Sequence, residues 1–357
     1  MYGRIYTHSI LGECVKIGIL GLKGNFNKNI GQGVQTYAYR LTEHLKKILS
    51  DRDLLDKIEL GFGNGNTARR LSFSLCELLF DGDKYDIIHM PNPVLFNPRG
   101  HTKKITTVHD LYILPESNPK LYDLYRGSPT VHLSFWQITH SDFIITDTEQ
   151  TQKEVLTLGY PREKTKVVNL GVDARYTSTP VPKKNHKTFV VGYLGGIGAK
   201  RNLTFAINAF ENMEGRNTRF DLWGKFDAKK DFDKYSTSAA PNIRFMGFAP
   251  ESKKVGIYDS FDAYVFPSLY EGFGLTIIEA QSRGLPVIIY KKALISKEVK
   301  KYCIEAEDEA HMSSILSDLK ENGYNEKLKR KATAYARRFI WEKTAKETLD
   351  IYKKVAD

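Results

Sequence analysis

The sequence predicts an α/β protein built from two Rossmann-like halves that face a central cleft. Apolar runs of strand length alternate with segments of helical periodicity, which favours parallel sheets covered by helices on both faces. The alternation restarts after Arg175–Lys187, a polar stretch containing Pro180 and Pro182 that has the composition of a linker. In such folds ligands bind at the carboxyl ends of the strands.

The individual elements follow from apolar runs, helical periodicity and their flanking glycines and prolines. The predicted strands are Val15–Leu20, Ile58–Phe62, Asp86–Met90, Ile105–Val108, Phe143–Thr146, Lys166–Leu170, Thr188–Leu194, Arg219–Trp223, Ile243–Phe245, Asp262–Phe266 and Pro286–Tyr290. The predicted helices are one that begins at Gly33, then Thr67–Phe80, Thr148–Leu158, Leu203–Met213, Ser252–Ser260, Leu275–Arg283 and Ala310–Glu321.

Length and composition indicate an ordinary soluble chain. Its 357 residues suggest two domains, and 41% hydrophobic with 27% charged residues is a typical balance. No apolar stretch reaches the length of a membrane span, and the N-terminus lacks the apolar core of a signal peptide. Cys14, Cys76 and Cys303 are widely spaced, which fits a reducing compartment and forms no metal-site pattern. We therefore expect a cytoplasmic protein.

The formal net charge of +11 favours anionic partners such as nucleotides, acidic lipid surfaces or nucleic acid. The lysines occur mostly in short pairs, which is typical of a solvated surface. Thr67–Phe80 carries Arg69 and Arg70 and is compatible with peripheral contact with an anionic membrane, although a core-facing helix explains its leucines equally well.

The most informative segment joins a strand, a glycine turn and a helix start. Asp262–Phe266 is an apolar run ended by Pro267, and Gly272 and Gly274 allow a sharp turn before helical periodicity begins at Leu275. The first turn of a helix presents unpaired N–H groups, and with the helix dipole these suit a phosphate.

The string from Phe266 to Ala280 reads FPSLYEGFGLTIIEA, with seven residues between Glu271 and Glu279, and is followed by GLPVI. Two glutamates at this spacing alone would be read as a loop residue and a solvated helix residue. The whole string resembles the donor-site motif of retaining GT-B glycosyltransferases, specifically glycosyltransferase family four. The resemblance implies that Glu271 binds the donor sugar and Glu279 the ribose. The backbone from Gly272 through Phe273, Gly274 and Leu275 to Thr276 is implied to bind the diphosphate.

A second glycine-rich loop, Gly195 to Asn202, follows the first strand of the second half. It resembles the phosphate-binding loop of the same family, which carries an arginine and a lysine. Arg201 stands at the lysine position, whereas Gly196 stands at the arginine position, so one cation is absent. Lys200 is the neighbour that could replace it. A basic pair at a helix start is unfavourable unless an anion is bound there.

The first half contributes two further candidates by resemblance. Val108-His109-Asp110-Leu111 ends a strand and resembles the active-site histidine segment, which implies that His109 contacts the donor sugar. Gly33 opens a helix, and the resemblance implies that this glycine turn lies under the donor diphosphate. The dinucleotide fingerprint is incomplete because position 36 is Thr36, so no NAD site is predicted. His89, at another strand end, is a candidate for the acceptor side.

The resemblance also implies a domain division. Residues 1–178 form the N-terminal Rossmann-like domain on the acceptor side, and residues 188–338 form the C-terminal domain on the nucleotide-sugar side. Residues 339–357 form a helix that crosses back onto the N-terminal domain.

The predicted function is a retaining, metal-independent hexosyltransferase that uses a nucleoside-diphosphate sugar, UDP or GDP ahead of ADP, and no cofactor. No acidic pair with metal-ligand spacing is visible, so cations are expected to replace a metal. The expected acceptor is a glycan, a lipid or a protein. Two alternatives stay open at this point: a sugar-nucleotide epimerase of the same architecture, and a basic nucleic-acid-binding protein. The second is less expected because the arginines and aromatic residues are dispersed.

Overall fold

Two parallel sheets organise the chain. The residues that the computed structural model describes are 14–22, 33–60, 82–93, 101–111, 129–182, 187–213, 217–224 and 241–357. Within them the backbone forms two six-stranded sheets and one two-stranded sheet. Every pairing between neighbouring strands is parallel. The predicted α/β class with two Rossmann-like halves is therefore confirmed.

The first sheet has the spatial order β2-β1-β3-β4-β5-β6. Its strands are β1 Lys16–Leu22, β2 Leu54–Leu60, β3 Ile87–Met90, β4 Lys103–Val108, β5 Phe143–Thr146 and β6 Thr165–Val167. The helices described in this half are α1 Gly33–Ile48, α2 Pro129–Thr139, α3 Glu149–Thr157 and the short α4 Arg175–Ser178. Strands β3 and β5 are buried along their whole length, because helices and the rest of the fold cover both faces of a parallel sheet.

The second sheet has the order β14-β12-β10-β7-β8-β9. Its strands are β7 Phe189–Leu194, β8 Thr218–Trp223, β9 Ile243–Gly247, β10 Ala263–Phe266, β12 Val287–Tyr290 and β14 Ile304–Ala306, and the small sheet pairs β11 Tyr270–Glu271 with β13 Leu294–Ile295. The helices are α5 Leu203–Glu211, α6 Lys254–Asp259, α7 Leu275–Ser282, α8 Lys297–Lys300, α9 Glu309–Asn322, α10 Glu326–Ala336 and α11 Trp341–Ala356.

Three predictions of local structure either differ from the structure or fall outside the described residues. Strand β2 begins at Leu54 rather than Ile58, because an edge strand can alternate polar and apolar residues and lacks a continuous apolar run. The stretch predicted as a linker begins with the helical turn α4, which the sequence analysis did not identify. The predicted helix Thr67–Phe80 lies outside the described residues.

Arg283 attaches the linker to the second half. Its side chain is fully buried, and its guanidinium donates to the backbone carbonyls of Tyr176 at 3.0 Å, Thr179 at 2.6 Å and Pro180 at 3.1 Å. Two further bonds of 2.8 Å go to the carboxylate of Asp259, which supplies the counter-charge. The linker is thereby held against the end of α7, the helix that carries Glu279.

The chain returns to the first half through α11, which packs against α1. Trp341 is buried at its start, and the Val172 N–H donates to the Phe339 carbonyl at 3.0 Å where the chain crosses. Gly171 lies so close to this crossing that a Cβ there would sit 2.2 Å from the backbone nitrogen of Trp341. The domain boundaries themselves stay a prediction.

We predict that Gly171→Ala lowers the free energy of unfolding by roughly 1–3 kcal/mol, because the new methyl group meets backbone atoms that cannot rotate away. Gly256→Ala is the matched control, since the Cβ position at Gly256 in α6 meets no atom within 4 Å. That substitution should leave stability equal or slightly higher. Urea titration followed by circular dichroism measures both, and equal midpoints for the two variants would contradict the packing described at the crossing.

Candidate active site

The two halves touch at a backbone contact between Gly272 and His109. Gly272 follows β11, and His109 follows β4, so both lie beyond the carboxyl ends of parallel strands. A Cβ at Gly272 would lie 1.9 Å from the His109 carbonyl oxygen. The Gly272 carbonyl in turn accepts from the Thr148 hydroxyl at 3.3 Å. The contact brings together the two segments that the sequence analysis assigned to the donor sugar.

Both ring nitrogens of His109 have partners. Nδ1 lies 2.6 Å from the carboxylate of Asp147, and Nε2 lies 2.8 Å from the carbonyl oxygen of Pro91. A carbonyl oxygen can only accept, so Nε2 carries a proton, and the carboxylate favours a second proton on Nδ1. Burial alone would lower the pKa of His109, but the Asp147 carboxylate and the Pro91 carbonyl raise it above its usual value. The raised pKa favours the protonated ring, and a sugar can reach Nε2 only by replacing the Pro91 carbonyl.

The second histidine has a structural role. His89 is 0% exposed; its Nδ1 lies 2.5 Å from the Tyr352 hydroxyl, and its Nε2 lies 2.7 Å from the Thr107 hydroxyl. Burial lowers the pKa of His89 to about 3, so the ring is neutral. The expectation that His89 lines the acceptor side is wrong, because the side chain bonds helix α11 to the first sheet and reaches no cleft.

Glu271 and Arg201 form an ion pair. The guanidinium of Arg201 donates to a Glu271 carboxylate oxygen and lies 3.4 Å from the Ser268 hydroxyl. Arg201 ends a short 3₁₀ turn directly before α5, and Glu271 ends β11. The structure thus brings Arg201, the cation predicted to bind the diphosphate, into contact with Glu271, the carboxylate predicted to bind the sugar.

Lys200 points toward the first half. Its ammonium lies 3.2 Å from the carboxylate of Asp110, the residue after His109. The backbone around Gly196 is open, since a Cβ there would meet no atom within 4 Å. Lys200 therefore spans the cleft, and the position where the family carries an arginine has room for a longer side chain.

The glycine turn prepares the start of α7 for an anion. Gly274 has a φ of +79°, which a side-chain-bearing residue rarely adopts, and no side chain caps the helix. The first turn holds Leu275 and Thr276 and no acidic residue. Phe273 contributes only its backbone, because its buried ring packs edge-on against Phe339 with centroids 5.7 Å apart. The turn therefore presents backbone N–H groups and positive helix-dipole potential to the cleft.

Glu279 lies one turn further along α7 and is buried, with 7% of its surface exposed. The Tyr258 hydroxyl donates to Oε2 at 2.7 Å, and the Lys254 ammonium lies 3.9 Å from Oε1. Burial raises the pKa of Glu279, and the Lys254 charge opposes the rise. A solvated helix position is thus excluded for Glu279.

The remaining predicted position, Gly33, is the first residue of α1, and a Cβ there would meet no atom within 4 Å. The loop preceding it lies outside the described residues. The sequence analysis did not select Asp147, Pro91 or Lys254 as site residues. The position of Asp147 directly after β5, adjacent to β4 in the sheet, is the signal that could have found it.

Two features are absent from the described parts of the chain. No group of three or more His, Cys, Asp or Glu side chains among those residues could hold a metal ion. None of the helices that the structure describes is both long and apolar enough to span a bilayer.

Family profiles cover most of the chain. The profile described as "Glycosyl transferases group 1" matches residues 176–354, which is half of the chain. The profile described as "Glycosyltransferase Family 4" matches residues 57–176.

Individual proteins agree with these profiles. The chain is 25% identical to "O-antigen chain mannosyltransferase B" of Escherichia coli over an alignment of 287 residues that covers 75% of this chain and 74% of that protein. Among solved structures, sucrose-phosphate synthase from Thermosynechococcus elongatus superposes with a TM-score of 0.75 at 15% identity, covering 95% of this chain and 98% of that one. Anabaena HepE in complex with UDP-glucose superposes with a TM-score of 0.70 at 16% identity, covering 94% and 99%. The chain therefore belongs to the glycosyl transferases group 1 family and is a glycosyltransferase with the GT-B fold.

Proposed function

We propose that the protein is a retaining hexosyltransferase that moves a sugar from a nucleoside-diphosphate sugar to an acceptor hydroxyl without a metal ion. The observation that carries this proposal is the convergence in one cleft of Glu271, Arg201, His109 and the N-terminus of α7. This combination suits a donor that is anionic at its diphosphate and rich in hydroxyl groups at its sugar.

The diphosphate becomes more negative as the bond to the sugar breaks, so the site must stabilise growing charge. The N–H groups at the start of α7 and the guanidinium of Arg201 are the groups suited to this. Arg201 is paired with Glu271 in the structure. Donor binding exchanges that partner: the diphosphate takes Arg201, and the released Glu271 accepts hydrogen bonds from the sugar hydroxyls.

We propose that transfer takes place on the face from which the diphosphate leaves. The bond between the anomeric carbon and the phosphate oxygen breaks with its electron pair on the diphosphate, and the acceptor oxygen forms the new bond. The acceptor proton passes to a phosphate oxygen. The Nε2–H of His109, whose ring is held by Asp147, stabilises this arrangement from the sugar side once it exchanges the Pro91 carbonyl for a sugar oxygen.

A nucleotide-sugar donor is supported by the GT-B neighbour solved with UDP-glucose. We propose UDP or GDP as the nucleotide ahead of ADP, no further cofactor, and a glycan, lipid or protein as the acceptor. A cytoplasmic location with peripheral contact with an anionic membrane completes the proposal. Membership in a glycosyltransferase family disfavours both the epimerase and the nucleic-acid-binding alternatives.

We predict that Glu271→Gln lowers kcat/KM for sugar transfer about 100-fold. The amide keeps the shape but loses charge-assisted hydrogen bonds, each worth roughly 1.5–3 kcal/mol. Release of nucleoside diphosphate from UDP- and GDP-sugars measures the effect, and Glu321→Gln on α9 is the exposed control. Turnover by Glu271→Gln within a few-fold of the unmodified protein would remove Glu271 from the reaction.

Affinity for nucleoside diphosphate should depend on Arg201. Arg201→Ala is expected to weaken binding about tenfold or more, because it removes a charge-assisted bond to the diphosphate. Gly196→Arg should strengthen binding, since the backbone at Gly196 is open and the new guanidinium faces the same loop. Calorimetric titration measures both, with exposed Lys292→Ala as the control. Unchanged affinity in Arg201→Ala would locate the diphosphate elsewhere.

We expect turnover to survive removal of divalent cations, because Arg201 and the start of α7 supply the positive potential. The test compares initial rates in excess EDTA with rates in magnesium or manganese. Initial rates in EDTA that lie within about twofold of the rates with metal would agree with protein groups taking the place of a metal ion. A complete loss that magnesium or manganese restores would contradict it.

A further inference from the structure

A row of alternating charges runs from the first half of the protein to Glu279. We call it the charge row: Arg40, Asp173, Arg175, Glu251, Lys254 and Glu279. Arg40 pairs with Asp173, and Arg175 pairs with both Asp173 and Glu251. Lys254 lies 2.7 Å from Glu251 and 3.9 Å from Glu279. The row therefore joins α1, the start of the linker and the donor-side helices α6 and α7.

The end of the charge row at Glu279 is buried. The side chains of Glu251 and Lys254 are each 12% exposed, and that of Glu279 is 9% exposed. A buried carboxylate without a nearby cation becomes protonated, because burial disfavours the charged form. Lys254 is shared between two carboxylates and lies closer to Glu251. Glu251 is itself paired with Arg175. The ionisation of Glu279 therefore depends on how much of the Lys254 charge Glu251 neutralises.

We propose that Lys254 is a positioning residue for the donor: it keeps Glu279 ionised and oriented to accept the ribose hydroxyls of the nucleotide. Arg175 neutralises Glu251 and so leaves part of the Lys254 charge to Glu279. The inference rests on the proposed function and on the family resemblance, which implies that Glu279 binds the ribose. It adds that Lys254 and Glu251 influence ribose recognition through Glu279, without contact with the nucleotide.

The inference predicts how donor affinity varies with pH. Burial raises the pKa of Glu279, so affinity for the nucleotide falls as pH drops through that raised pKa. Lys254→Met removes the opposing charge and should move this fall to higher pH. Glu251→Gln removes a neighbouring negative charge and should move it to lower pH. The charged and titratable groups that act on Glu279 are Lys254, Glu251, Tyr258, Tyr176 and Tyr264, and Arg175 acts on Lys254.

The experiment uses the full chain and titrates UDP, GDP and ADP from about pH 5 to about pH 8.5, a range that covers a raised carboxyl pKa. The nucleotide that binds best is then compared with its 2′-deoxy analogue. At neutral pH, Lys254→Met should bind the nucleotide about tenfold more weakly and discriminate less against the deoxy analogue. Lys254→Arg should recover most of both effects, because it keeps the charge.

Control variants distinguish the loss of the positioning role of Lys254 from a failure to fold. Lys253→Met removes the adjacent exposed lysine and should change neither affinity nor its pH dependence. Lys254→Met combined with Glu279→Gln should lose no more affinity than Glu279→Gln alone, because Lys254 acts through Glu279. Thermal unfolding identifies any variant that fails to fold, and Glu251→Gln then tests the opposite sign independently.

Two failures have different meanings. If the unmodified protein binds none of the three nucleoside diphosphates, the proposed function fails together with this inference. If it binds one of them but Lys254→Met and Glu251→Gln follow the unmodified pH profile, the role of Lys254 is wrong and the function stands.

Discussion

The close approach of Gly272 to the carbonyl of His109 is the constraint on which the candidate site depends. No side chain fits between these backbones, so the glutamate motif of the second half meets the histidine segment of the first half directly. Tyr270 reinforces the contact: its hydroxyl donates to Glu154 at 2.6 Å and accepts from the Leu111 N–H at 3.1 Å. The cleft therefore has its sugar-side and phosphate-side groups within reach of a single ligand.

Charge pairing is the second organising principle of the cleft. Arg201 pairs with Glu271, Lys200 with Asp110, and His109 with Asp147. The positive groups suited to a diphosphate are thus paired with carboxylates. An anionic donor can exchange into these pairs without leaving a buried charge alone, which would be costly. The Lys200–Asp110 pair bridges the two halves, whereas the other two pairs hold the candidate site residues within their own halves.

The sequence was informative about features of the site that neighbouring residues determine. The turn from Glu271 to Gly274, the helix that follows it and the basic end of the second loop at Arg201 could all be predicted, because neighbouring residues determine them. The partners of these groups could not be predicted, since Asp147 and Pro91 reach His109 only through the order of strands in the first sheet. His89 illustrates the opposite error: a strand-end histidine resembles a site residue until the crossing helix places Tyr352 against it.

We expect a nucleoside-diphosphate sugar to bind between the glycine loop at Gly195–Asn202 and the start of α7. Hydrogen–deuterium exchange with and without saturating UDP- or GDP-sugar measures this binding at the level of individual backbone segments. Exchange should become slower in the peptides covering Gly195–Asn202 and Gly272–Glu279 and should change little in the distant helix α9. Protection confined to other segments, or none with any nucleotide sugar at saturating concentration, would show that the donor does not bind at this site.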